Sequence, residues 1–106
     1  MAKKIIITYN DRDYTLEFNR KTVRQMEESG FKIDTDRPAS MILDLFRGAF
    51  QMHHRAIRPD QVEEIWLAQR GKEKLLTELI SMYTEPIASL MDDAEGEDEN
   101  PTWKVQ

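Results

Sequence analysis

Two adjacent histidines, His53 and His54, are the residues of this sequence best suited to acid–base or metal chemistry. Neighbouring residues on an α-helix point about 100° apart, so the two imidazoles cannot readily bind one metal ion. The spacing H-E-x-x-H, which aligns two ligands on one helix face, does not occur here. We therefore expect His53 to end the apolar face of a helix and His54 to face water, with no metal site and no cofactor.

Other catalytic patterns are equally weak. The pair Gly71-Lys72 resembles the end of a phosphate-binding loop, but no glycine-rich stretch precedes it, and a helix stop is the better interpretation. Residues 92–99 are acidic, yet their order does not match a calcium-binding loop. Because no hydroxyl has a base and an orienting acid at a recognisable spacing, we expect no enzyme activity. An enzyme hypothesis would have to rest on His53 or Asp44.

The charge of −5 is concentrated at one end of the chain. Residues 1–91 contain fourteen Lys or Arg and fourteen Asp or Glu, whereas residues 92–99 contain six acids and no base. A neutral body lacks the basic field that attracts nucleic acids, so we expect no nucleic-acid partner. The sequence contains no apolar run long enough for a membrane span or a secretory signal. With no cysteine and only 106 residues, it suggests a cytosolic, self-associating protein.

These features must be positioned by a small α+β domain at residues 1–91, followed by a flexible acidic tail at residues 92–106. Residues 4–9 and 14–18 flank a polar turn and predict a β-hairpin whose Tyr14, Leu16 and Phe18 share one face. A first helix should begin after the N-cap Asn19 and end before Gly30.

Three further helices complete the predicted fold. The second begins near Pro38 and carries an apolar stripe through His53, with Gly48 placed for close packing. The third runs from near Pro59 to Gly71. The fourth covers residues 72–91, and its last turns should kink or separate at Pro86.

Several strings of the sequence resemble the small tail assembly chaperones of long-tailed, siphovirus-type bacteriophages and prophages. They include the pairs Met26-Glu27, Gly30-Phe31 and His53-His54, and the segments 14–23 (YTLEFNRKTV), 45–50 (LFRGAF), 82–86 (MYTEP) and 101–103 (PTW). The resemblance spans nearly the whole chain, and its motifs are structural rather than catalytic. The acidic stretch before residue 101 is heavier than is usual in this family.

The resemblance implies a protein of the host cytoplasm, absent from the finished virion, that binds and solubilises the tape-measure protein. It also implies contact with tail-tube protein subunits and a longer, frameshifted form. Since the tape-measure protein is largely helical, we expect a groove for an amphipathic helix. Candidate partner-binding residues are Phe46, Phe50, Trp66, Tyr83 and Trp103.

Each candidate has an alternative interpretation. Phe46, Phe50, Trp66 and Tyr83 are also typical of a plain hydrophobic core. Trp103 lies beyond the acidic tract, so it either folds back onto the body or anchors in a partner. The alternative function is a small cytosolic regulatory or adaptor protein that acts through protein contacts.

Overall fold

The computed structural model describes residues 3–94 and 103–106, and it begins with a β-hairpin. Strand β1 (Ile5–Tyr9) pairs antiparallel with β2 (Arg12–Leu16). The turn residues Asn10 and Asp11 have φ angles of 51° and 62°, which is the left-handed geometry of a two-residue hairpin turn. The turn is therefore shorter than the sequence suggested, and β2 begins at Arg12 rather than at Tyr14.

Helix α1 (Arg20–Glu28) has the two ends that the sequence predicts. The Asn19 side chain accepts a hydrogen bond from the backbone N–H of Thr22 at 2.8 Å. At the other end, the Gly30 N–H donates to the Glu27 carbonyl and the Phe31 N–H to the Met26 carbonyl, both at 2.9 Å. This is a Schellman motif, in which Gly30 takes a φ of 96°.

The other helices are α2 (Pro38–Phe50), α3 (Pro59–Leu67) and α4 (Lys72–Ala88), and a 3₁₀ turn follows at Ser89–Met91. The prediction that α3 reaches Gly71 is wrong. The Lys72 ammonium donates to the carbonyls of Leu67 and Gln69, so it satisfies acceptors at the end of α3. Gly71 is instead the left-handed N-cap of α4.

Helix α4 continues through Pro86 rather than separating there. Two more residues remain α-helical, and the change to 3₁₀ geometry comes only at Ser89. The proline removes one backbone donor without ending the helix, as occurs when packing on neighbouring elements holds the chain.

The core lies between the hairpin and the helices. Its largest fully buried side chains have less than 2% of their surface exposed: Phe46, Phe50, Leu16, Leu45, Ile65, Leu79 and Val62. Gly48 on α2 confirms the predicted close approach, because a Cβ there would collide with the Met26 side chain of α1.

The fold class is therefore α+β, with a hairpin followed by four helices. The predicted flexible tail falls largely on residues 95–102, which lie outside the described residues. No helix in the described part of the chain combines the length and apolar character that crossing a membrane requires.

Candidate functional site

Four of the five predicted partner-binding residues belong to the core. Phe46 and Phe50 are fully buried, and Trp66 and Tyr83 are 8% and 3% exposed. The Phe46 ring packs edge-on against both Phe50 and Trp66, with centroids 5.0 Å apart in each case. The four rings therefore lie in the core, which is the alternative interpretation given for them, and their role in partner binding stays a prediction. Trp103, by contrast, is 70% exposed.

The predicted roles of the two histidines are reversed. His54 is half-buried, and its Nε2 accepts a hydrogen bond from the backbone N–H of Thr15 at 3.0 Å. His53 is the more exposed residue, and its Nε2 lies 2.9 Å from Oε1 of Glu17. The reason is that the turn after α2 lies against β2, which the helical periodicity of one segment could not reveal.

The environment of His54 favours the neutral imidazole. Burial lowers the pKa of His54, and the nearby charges of His53 and Arg12 lower it further. Since Nε2 accepts a hydrogen bond from a backbone N–H, the hydrogen of the neutral ring must lie on Nδ1. His54 is therefore a structural acceptor here.

Glu17 completes the attachment of β2 to α2. Glu17 is only 9% exposed, and its backbone N–H donates a hydrogen bond to the Ala49 carbonyl at 2.9 Å. Within residues 3–94 and 103–106, no group of three or more His, Cys, Asp or Glu side chains is placed to hold a metal ion. The expectation that the protein works without metal or catalysis stays a prediction.

A groove between α1 and α4 is the surface feature best suited to a ligand. We call it the α1–α4 groove; its volume is about 440 Å³, and it is lined by Lys3, Glu17, Phe18, Asn19, Arg20, Lys21, Met82, Glu85, Pro86 and Ser89. Phe18 and Met82, each 3% exposed, belong to its apolar lining. Lysine, arginine and glutamate side chains surround that lining.

Hydrogen bonds hold the two walls of the groove together. The Arg20 guanidinium donates through Nε to Oγ of Ser89 at 3.1 Å, and through Nη2 to the Ser89 carbonyl at 3.4 Å. Ser89 in turn donates to the Pro86 carbonyl at 2.8 Å. The first turn of α1 is thereby tied to the end of α4.

The groove also has an electrostatic preference. Arg20 and Lys21 occupy the first turn of α1, which contains no acidic residue. A helix N-terminus already carries a partial positive charge, so these two cations add to a positive potential. The α1 wall therefore favours carboxylates of a ligand, while Glu17 and Glu85 line other parts of the same groove.

Exposed apolar side chains continue the surface beyond the groove. Ile87, Leu90 and Met91, which we call the terminal apolar patch, are 39%, 62% and 85% exposed. Leu90 and Met91 belong to the 3₁₀ turn that begins at Ser89, the last residue of the groove lining. The groove and this patch are therefore neighbours in sequence at the end of α4.

Sequence reasoning did not single out this site. One signal in the sequence could have revealed the site. The apolar residues of α4 continue past Pro86, whereas α1 is only nine residues long and is too short to cover all of them. The two cations in the first turn of α1 were a second signal, since they oppose the helix dipole.

Comparison with known proteins places the whole sequence in one family. The family model described as Domain of unknown function (DUF5055) matches residues 1–106. Neither the curated proteins nor the solved structures gave a match. Because the match extends over the full sequence, the chain belongs to the DUF5055 family.

Proposed function

We propose that this protein is a tail assembly chaperone of a long-tailed bacteriophage or prophage, and that it binds the tape-measure protein in the host cytoplasm. The observation that carries the proposal is the α1–α4 groove with its terminal apolar patch. It adds to the resemblance of the sequence to that chaperone family. The proposed role is to cover apolar helical segments of the tape-measure protein until tail-tube subunits assemble around it.

The chemistry of the groove suits one face of an amphipathic helix. Such a helix buries a stripe of side chains spaced three and four residues apart, and Ile87, Leu90 and Met91 offer exposed apolar surface for it. Acidic side chains bordering that stripe would meet Arg20 and Lys21. The helix would add surface to the domain without disturbing its core.

Co-expression with the tape-measure protein of the same phage tests the proposal. We expect the chaperone to raise the soluble fraction of the tape-measure protein and to co-purify with it. Leu90→Asp should weaken both effects by about tenfold or more, because it places a carboxylate in a desolvated apolar contact.

Leu67→Asp is the matched control, since Leu67 is 67% exposed and Leu90 is 62% exposed. Leu67 lies at the end of α3 beside the start of α4, while Leu90 lies beyond its far end, roughly 25 Å away at 1.5 Å per residue. Equal loss with both variants would contradict binding at the groove. Retention of another cytosolic protein, with no effect on the tape-measure protein, would favour the regulatory or adaptor alternative.

A further inference from the structure

The two edges of the hairpin differ in how their backbone groups are used. In a two-residue hairpin the residues flanking the turn form a hydrogen-bonded pair, and such pairs alternate along the ladder. From the register Tyr9 with Arg12, the backbone groups of Ile6 and Thr8 must point away from β2. Within the described chain, these outward groups have no hydrogen-bond partner.

The outer edge of β2 is covered in the same structure. The Thr15 N–H donates to His54 and the Glu17 N–H donates to the Ala49 carbonyl. Only the β1 edge therefore remains as a template for another strand, which is how sheet edges recruit further chains.

We propose that β1 pairs antiparallel with β1 of a second copy of this chain, so that two hairpins form one four-stranded sheet. The strand suits this role because residues Ile5–Tyr9 (IIITY) contain three isoleucines and neither proline nor charge. Ile6 is 57% exposed on the face away from the core. Natural proteins usually protect such an edge with proline or an inserted charge, and β1 has neither within its length.

The register of this pairing follows from the strand itself. An axis at Ile7 pairs all five strand residues, because Ile5 then faces Tyr9 and Ile6 faces Thr8 of the second copy. This register also brings the outward backbone groups of Ile6 against those of Thr8, so the ladder of hydrogen bonds can form. The register that pairs all five residues of the strand is therefore also the one that lets the outward backbone groups form hydrogen bonds between the two copies.

Charge complementarity favours the same arrangement. The antiparallel register places Lys3 and Lys4 beside the turn residues Asn10 and Asp11 of the second copy, and all four are exposed. The Lys3 ammonium also lies 3.2 Å from Oε2 of Glu78 in its own chain, which leaves Lys4 as the cation without an ion pair within the described chain. A parallel pairing would instead place the lysines of one copy beside those of the other. Opposite charges at the strand ends thus select a second copy in the antiparallel direction.

The assembly closes at two copies. A two-fold axis uses the same edge on both chains, and the two remaining edges are β2 edges already covered by His54 and the end of α2. We therefore expect a dimer of twice the 12.5 kDa chain mass rather than an open filament.

Sedimentation equilibrium of the full chain over a range of concentrations tests this pairing. The wild-type protein should dimerise, and Ile6→Lys should raise the dimer dissociation constant by about tenfold or more, because it brings two ammonium groups close together across the axis. Leu67→Lys changes an apolar residue on α3 that is 67% exposed, compared with 57% for Ile6, and should leave dimerisation unchanged. Circular dichroism checks that both variants fold.

Hydrogen exchange gives a residue-specific readout. The amides of Ile6 and Thr8 should become protected as the protein concentration rises, whereas those of Ile5 and Ile7, already bonded to β2, should not change. A monomer at all concentrations, or a dimer that Ile6→Lys does not weaken, would overturn the proposal. The tape-measure protein is absent from both experiments, so their outcome is independent of the proposed function.

Discussion

The two strands of the hairpin have the same length, five residues each, and very different surroundings. Strand β2 is held from behind by Leu16 in the core and along its edge by His54. Strand β1 buries Ile7 but leaves Ile6 and its outer backbone edge in solvent. In this domain β2 serves as the strand that joins sheet to helices, and β1 as the strand available to a partner.

This difference separates stability from recognition. A residue that is buried and hydrogen-bonded within the chain contributes mostly to the free energy of folding, because its partners come from the same molecule. An exposed apolar residue beside unused backbone groups contributes little to folding and can contribute to association. Substitutions in the two strands should therefore have effects of different kinds.

The largest expected difference in stability comes from replacing one side chain of each strand with alanine. Leu16→Ala removes a fully buried side chain of β2 and should lower the free energy of unfolding by about 2–5 kcal/mol. Ile6→Ala on β1 should change the stability of the monomer by less than about 1 kcal/mol, because the side chain is 57% exposed. Urea denaturation at a concentration below dimerisation measures both. Similar losses for the two variants would remove the distinction between the strands.

The sequence predicted most of the core contacts of β2. It did not predict that the outer backbone edge of β2 is covered while that of β1 is open. Alternation correctly placed Tyr14, Leu16 and Phe18 on the core side, and the caps of α1 followed from Asn19 and Gly30. These features depend on neighbours in the sequence, so local pattern is enough to predict them.

The edges depend instead on contacts between distant residues. His54 and Thr15 are 39 positions apart, and no periodicity relates them. The candidate site was missed for the same reason, since the groove forms only where α1 and α4 meet. Residue type left Phe46 open between a partner contact and the hydrophobic core, and only the fold shows that its side chain is fully buried.

A smaller effect should follow from removing the acceptor at the β2 edge. His54→Ala leaves the Thr15 N–H without its partner and should cost about 1–2 kcal/mol of folding stability. His54→Gln is the matched variant, because its amide oxygen can reach a similar position and should restore part of the loss. Hydrogen exchange should show faster exchange at Thr15 in the alanine variant, and an unchanged Thr15 amide would mean that the edge is held by other contacts.

The smallest effect is the pH dependence that His54 gives to the same edge. Its pKa is lowered in the folded chain, chiefly by burial and then by His53 and Arg12, so the unfolded chain binds the proton more readily. The contribution is therefore fully present above the ordinary histidine pKa of about 6.5 and declines as the pH falls through the lower folded value. Urea denaturation at pH 7.5 and at about pH 5.5 should show a stability loss in the wild type that is smaller in His54→Gln, which cannot titrate. Equal losses in both proteins would assign the pH dependence to other groups and leave the Thr15 hydrogen bond insensitive to protonation.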